Sequence, residues 1–409
     1  MSILRRFLQT IAVLSFVALL PFLRKLNDHD MSRAGTGASR LEGVLSSTPT
    51  RSPFSRGLPV SRSGENLTSP VGSFSAEFHY GMRKPPGSNY TQIMVVPRLK
   101  KDDISWIREE LPDIDTAVYV ANDPTADFHP PRNKGHEVMV YLTYIIDHYS
   151  DLPDTIIFMH AHRWTHHNIE LLGYDSAEMI RRLSNDYVAR EGYVNMRCRW
   201  YPGCPEWLHP KDARETLAKQ EGVVLSQCWH ELFPSKPLPE ALGQGCCAQF
   251  ALSKNRVLSI PLSRFIFYRD WMLRTPLSDY VSGRIWEYLW QYLFTGESIY
   301  CPSEHACHCQ GFGVCFGGAT EYEEFRELGR SKEAYEKELE EMRQREAVIG
   351  DGKGREYNAS DATFSDQDRY SNLTRHIEVL EKEMQTRKLH AIKQGDNRSS
   401  QIWVQREDF

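Results

Sequence analysis

The chain has 409 residues, 41% hydrophobic and 25% charged, with a formal net charge of −5. That length leaves room for two average domains, and the composition is that of a globular protein diluted by polar segments. Basic and acidic residues are mixed rather than gathered into one-sign blocks, so no nucleic acid is expected as a partner.

At the N-terminus MSILRR precedes the uncharged run 7–23, FLQTIAVLSFVALLPFL, and Arg24 and Lys25 follow. The run is near the lower limit for a membrane-spanning helix, which needs about 20 residues in an average bilayer. No small-residue cleavage pattern follows it, so an uncleaved signal anchor is expected rather than a removed signal peptide. Residues 1–6 are then a cytosolic tail. Charge does not orient the anchor, because Arg5 and Arg6 face Arg24 and Lys25. Residues 24–90, rich in Ser, Arg, Gly, Thr and Pro and without apolar periodicity, read as a disordered stem. Sequons at Asn66, Asn89, Asn358, Asn372 and Asn397 flank the segment 92–350 without interrupting it, as exposed glycans would. All nine cysteines lie between Cys198 and Cys315, which suits disulfides in an oxidising compartment. These features together imply a single-pass type II membrane protein whose body faces the Golgi or endoplasmic reticulum lumen.

The segment 91–318 alternates strand and helix patterns. Ile93–Val96 is a short apolar run, a buried-strand signal. Asp102 or Asp103 can cap a helix with Ile104, Ile107 and Leu111 on one face. Thr116–Val120 is the next strand, and Val138, Tyr141, Leu142, Ile145, Ile146 and Tyr149 mark an amphipathic helix. Thr155–Met159 is a third strand, followed by the histidine-rich stretch FMHAHRWTHHN, 158–168. Asp175-Ser-Ala-Glu178 is a capping box for a helix carrying Met179, Ile180, Leu183 and Tyr187. The pattern predicts an α/β fold, a mainly parallel sheet with flanking helices, in which ligands sit beyond the carboxyl ends of the strands. From 319 to 409 the chain is charged and partly helical, with helices expected over 331–350 and 371–390.

If the third strand runs through residue 162, His160 and His162 project to the same side. Paired imidazoles at that spacing suit zinc or another divalent metal, with His166, His167 or distant carboxylates completing the shell. The metallo-β-lactamase pattern HxHxDH is not met, since Trp164 and Thr165 stand where Asp and His belong. The alternatives are metal-free substrate contact, or hydrogen bonding to loop backbone at a pocket rim.

Downstream, Cys246–Leu252 reads as a strand entering a helix at Ser253, and Ser282 can cap a helix over 283–294. There Arg284, Glu287 and Gln291 form a polar stripe on an otherwise apolar helix. A carboxylate between Trp286 and Trp290 could serve as a general base; the plainer alternative is an exposed Arg284–Glu287 pair. Cys301, Cys307, Cys309 and Cys315 with His305 and His308 could hold zinc, but they lack paired CxxC spacing and suit disulfides better. Nine cysteines leave one unpaired. No GxGxxG, Walker A loop, GxSxG elbow or HExxH stands where it would help, which weighs against common dehydrogenases, P-loop enzymes, esterases and zinc proteases.

The ordered motifs Asn133-Lys-Gly-His-Glu137, Leu152-Pro-Asp154, Phe158-Met-His160-Ala-His162-Arg163, Gly192-Tyr-Val-Asn195, Pro202-Gly-Cys-Pro205, Cys247-Ala-Gln-Phe250, Ser282-Gly-Arg284-x-x-Glu287 and Cys301-Pro302 resemble the fungal domain-of-unknown-function 3431 family over about 92–318. The strand–helix order, the NKG segment and the polar strand end also resemble GT-A-type nucleotide-sugar glycosyltransferases, a Rossmann-like fold. In those enzymes an acidic DxD motif holds a divalent cation and the donor diphosphate. His160-Ala-His162 occupies its place here, although carboxylates serve a hard cation better. The resemblance implies Glu287 as catalytic base and Asn133, Lys134, His160, His162, Arg163 and Arg284 as substrate-binding residues. It further implies Mn²⁺ or another divalent cation on His160 and His162, with a nucleotide sugar as donor and a glycan or glycoprotein as acceptor. A metal-dependent hydrolase and a non-catalytic binding or scaffold protein are the competing expectations.

Overall fold

The structure, a computed structural model, describes residues 78–201, 203–205, 207–211, 221–350 and 364–397. The expected anchor and most of the expected stem lie outside these residues, as do Asn66 and Asn358. No described helix is long and apolar enough to cross a membrane.

In chain order the elements are β1 (Gln92–Arg98), α1 (Ser105–Glu110), β2 (Asp115–Val120), α2 (Val138–Asp147) and β3 (Thr155–Phe158). Next come α3 (Ser176–Arg182), α4 (Asn185–Glu191), β4 (Tyr193–Asn195), α5 (Glu221–Leu232), β5 (Gly243–Gln244), β6 (Phe250–Ser253) and α6 (Lys254–Leu258). The rest are α7 (Leu262–Arg274), α8 (Asp279–Glu287), α9 (Trp290–Thr295), β7 (Ile299–Tyr300), α10 (Ala319–Gly350) and α11 (Phe364–Gly395). The main sheet has the order β2-β1-β3-β6-β4. β1 pairs in parallel with β2 and β3, whereas β6 runs antiparallel to both β3 and β4. The expected mixed α/β architecture is therefore present, with one reversed strand inside a mostly parallel sheet.

Side-chain alternation builds two cores from these strands. Val95, Phe158, Phe250 and Leu252 face α2, α7, α8 and α9. Met94, Val96, Ile157 and Ala251 face α1, α3 and α4. α2 is buried continuously from Val138 to Ile145, because it lies between the sheet and α7. Aromatic rings fill the space under it: Tyr141 meets Phe158 at 4.6 Å between centroids, and Phe250 meets Trp290 at 5.2 Å.

Three local expectations change. The helix expected from 176 through Tyr187 is two helices. Ser184 leaves helical geometry, caps Tyr187 N–H with its hydroxyl and donates its own N–H to Gly311 O. The helix expected over 283–294 begins earlier, capped by Ser278 rather than Ser282, whose buried hydroxyl returns to the Ser278 carbonyl at 2.8 Å. It also breaks after Glu287, where the Gln244 amide takes the Glu287 carbonyl and Tyr288 and Leu289 N–H bond only three residues back. Finally, α1 has no side-chain cap. Asp102 accepts from Leu99 N–H and Asp103 from Ser105 N–H, and the buried face is Trp106 and Ile107.

Residues 78–90, expected as stem, are docked on the domain: Gly81 N–H donates to Arg190 O at 2.7 Å, and Lys84 meets Asp154 at 2.7 Å. α10 and α11 run antiparallel, with Arg369 on Glu338 and Arg387 on Glu324. The cysteines form disulfides: Cys198–Cys307, Cys204–Cys301, Cys309–Cys315 and the vicinal Cys246–Cys247. Cys228 is free and buried.

Arg256, at the start of α6, ties three segments together. Its buried guanidinium donates to Phe294 O at 2.8 Å, Glu191 O at 2.9 Å and His79 O at 3.1 Å. Arg256→Met removes these charge-assisted bonds and leaves buried carbonyls unpaired. It should lower unfolding free energy by about 2–4 kcal/mol, read from urea denaturation.

Candidate functional site

From β1 the chain passes through α1 to β2 on one side, then crosses through α2 to β3 on the other side of β1. The carboxyl ends of β1 and β3 therefore border a crevice of the kind where α/β sheets hold ligands. A cavity of about 590 Å³ occupies it. Pro97 and Arg98 line it from the end of β1, and Ala121 from the end of β2. Asn133, His136 and Glu137 come from the turn into α2; His160, His162, Trp164, Thr165 and His167 follow β3; Asp279 and Glu287 stand at the two ends of α8.

The histidine loop is not an extended strand. β3 stops at Phe158, and the His160 N–H goes instead to the Gln249 side-chain oxygen at 3.1 Å. The strand through residue 162 on which the same-side pairing of His160 and His162 rested is therefore absent, although both still line the cavity. His160 turns inward, its Nδ1 3.1 Å from Nδ1 of His167, and His162 is exposed. The loop is held by a buried amide relay. Gln249 donates to Asn168 Oδ1 at 2.9 Å, and Asn168 donates to Arg163 O, Tyr174 O and Ser176 Oγ. Ser176 in turn donates to His162 O at 3.1 Å.

The opposite wall depends on the turn before α2. Gly135 and His136 both have positive φ, 72° and 53°. Asp279 accepts their N–H groups at 2.5 and 3.4 Å. Gly283 permits this contact, since a Cβ there would lie 2.5 Å from the His136 ring and 3.3 Å from Gly135 backbone. Glu137, next in the chain, lines the cavity together with Glu287.

The two carboxyls have different environments. Burial, then repulsion from Glu287 and Asp279, raises the Glu137 pKa to about 8. Burial also raises that of Glu287, but Arg284 and His136 oppose it, and Arg284 pairs directly with Glu287 Oε2. Glu137 therefore favours its protonated form at neutral pH, while Glu287, raised as well, has Arg284 as a direct ion-pair partner. Burial first, then neighbouring histidines, lowers His160 to about 3; burial, then His166 and Arg197, lowers His167 to about 4. Both imidazoles are neutral at neutral pH.

The residues expected in substrate binding separate. Asn133, His160 and His162 line the cavity, and Arg284 stands behind Glu287. Lys134 is buried and donates to the Thr275 carbonyl. Arg163 is engaged by Asp175 at 3.1 and 3.0 Å and by Glu110 at 2.7 Å. Both have structural partners in place of the expected substrate. Glu137, Gln249 and Asn168 were legible only as members of quoted stretches, His167 only as one of several further ligands, and Asp279 not at all. What assembles them is a loop path and a helix crossing.

The donor set does not fit a divalent cation bridging phosphates. His160 and His167 supply two neutral imidazoles, and among the described residues no group of three or more His, Cys, Asp or Glu is arranged to hold a metal. Arg98 offers fixed positive charge instead. Its guanidinium donates to the Leu99 and Lys100 carbonyls at 3.0 and 2.7 Å, with no carboxylate ion pair among the described residues.

The site is thus a strand-end cavity in a mixed α/β domain, with Glu137, its pKa raised by burial, and the Arg284-paired Glu287 on one wall and neutral histidines on another. A family model described as "Protein of unknown function (DUF3431)" matches residues 94–310, more than half of the chain, and the protein belongs to that family. No curated protein and no solved structure matches it.

The Glu137 environment has a measurable consequence. Between its ordinary value near 4.5 and about 8, folded Glu137 keeps a proton that the unfolded chain releases. Wild-type stability is therefore lost as pH rises through that window. Glu137→Gln, which cannot titrate, should show a melting-temperature gain over wild type that grows from pH 5 to pH 8 and then levels off. A constant difference would mean that Glu137 is ionised throughout.

Proposed function

We propose that the protein is a membrane-anchored, lumenal glycosyltransferase-like enzyme that moves a sugar from a nucleotide donor to a hydroxyl acceptor. The observation that carries this reading is the placing, in one strand-end cavity, of two carboxyls with different partners: Glu287 is ion-paired with Arg284, and Glu137 has its pKa raised to about 8 by burial and by Glu287. A carboxyl in direct contact with a cation is suited to act as the base, and one whose pKa is raised without a direct ion pair is suited to donate a hydrogen bond. Glu287 takes the proton of the acceptor hydroxyl, and the oxygen bonds to the anomeric carbon as the bond to the diphosphate oxygen breaks. The diphosphate leaves with the electron pair, and attack from the opposite side inverts the centre. Arg98 supplies positive charge for the diphosphate, while His160 and His167, both neutral, offer hydrogen bonds. No step runs through a metal.

Four disulfides support an oxidising compartment. Asn89, Asn372 and Asn397 are exposed, which supports their glycosylation. The anchor in this reading is the run 7–23.

The full chain should be screened by thermal shift against nucleotide sugars, in EDTA and in Mn²⁺. One donor is expected to raise the melting temperature in both. Glu287→Gln should keep that shift and lose at least about a hundred-fold in transfer, the range general-base removal gives. If no donor shifts the melting temperature in either condition, the transferase reading is wrong. Donor binding with no transfer by wild type would leave a binding protein.

A further inference from the structure

Trp164 lines the mouth of the cavity and is 65% exposed, whereas Trp229, Trp286 and Trp290 are fully buried. A large apolar ring left in water gains nothing for folding, and one that is also held still is a candidate contact surface. Trp164 is held still. The Arg163 guanidinium lies 4.4 Å from its ring centroid, covering one face. That guanidinium is pinned by Asp175 at 3.1 and 3.0 Å and by Glu110 at 2.7 Å. The Trp164 backbone bridges to Asp175, and the Arg163 carbonyl accepts from Ser176 N–H and the Asn168 amide. The indole is therefore a preorganised plate backed by a fixed cation. Among the described residues no second ring stacks on it.

We propose that Trp164 is the acceptor platform, on which the C–H face of a pyranose ring in a glycan stacks. The inference rests on the glycosyl-transfer reading of the same cavity and names its acceptor subsite. The position favours a sugar over a nucleobase. A base is read by donors and acceptors around its edge inside an enclosed slot, and this ring stands open at the rim. A pyranose there leaves the rest of a glycan or glycoprotein in solvent. Its hydroxyls face the exposed His162 and the half-buried Thr165, two polar side chains beside the plate. Rigidity also matters, since an ordered plate loses little entropy on binding.

The test uses full-length wild type, Trp164→Ala and Trp164→Phe. The probes are tetrasaccharides of glucose, mannose, galactose and N-acetylglucosamine, followed by saturation-transfer NMR without donor. At least one tetrasaccharide should bind wild type through its ring C–H protons. Trp164→Ala should weaken it roughly ten-fold, the scale of one lost ring stack, and Trp164→Phe should restore most of the loss. The melting shift produced by the nucleotide donor should be unchanged in Trp164→Ala. Equal saccharide binding by Trp164→Ala and wild type overturns the proposal, as does the absence of saccharide binding by wild type. A weakened nucleotide shift in Trp164→Ala overturns it too, because the plate would then seat the base. Saccharide binding that depends on Trp164, in a protein that no nucleotide sugar stabilises, keeps the platform and removes the transferase reading.

Discussion

The carboxamide of Gln249 joins the sheet to the histidine loop, and the site depends on that junction. Its oxygen accepts from the His160 N–H, and its nitrogen donates a hydrogen bond to Asn168 Oδ1, whose own amide donates to two carbonyls and the Ser176 hydroxyl. Gln249, Asn168 and Ser176 are all almost wholly buried. A buried polar group must find a partner, so a relay in which each amide is satisfied by the next allows one loop path and penalises the others. Along that path His160 faces His167 and Trp164 is held beside Asp175.

The second wall is built by steric permission rather than by a relay. Gly283 lets α8 approach the Gly135–His136 turn, and Asp279 collects the amides that the turn exposes. The approach brings Glu287 and Glu137 close enough to repel. With both carboxyls half-buried, burial raises the pKa of each, and only Glu287 has the direct Arg284 ion pair that opposes the shift. The same helix crossing therefore shapes the cavity and gives its two carboxyls different surroundings. The break after Glu287 is part of this arrangement, because Gln244 takes the carbonyl that a continuous helix would have used.

β1, β2 and β3 were readable because each holds a short apolar run, and the buried apolar residues on them serve one of two cores. Helix extents were less readable. Ser282 looked like a cap and is buried in mid-helix, and a periodicity running through Leu183 hid the stop at Ser184. In both cases the deciding bond comes from a distant segment, Gly311 for Ser184 and Gln244 for Glu287. The reversal of β6 was equally hidden, since a buried strand has the same composition whichever way it runs.

From the sequence alone came the α/β alternation, the position of the histidine cluster at a strand end, and the cysteines as disulfide formers. Those properties are local: periodicity, composition and residue chemistry within a few positions. Which histidine meets which, whether Lys134 and Arg163 are free, and which of two carboxyls keeps its proton were decided by tertiary structure. Each of these depends on partners tens or hundreds of residues away, such as His160 with Gln249, Lys134 with Thr275, and Glu137 with Glu287. Burial and proximity set the charge of such groups, and neither exists before the chain has folded.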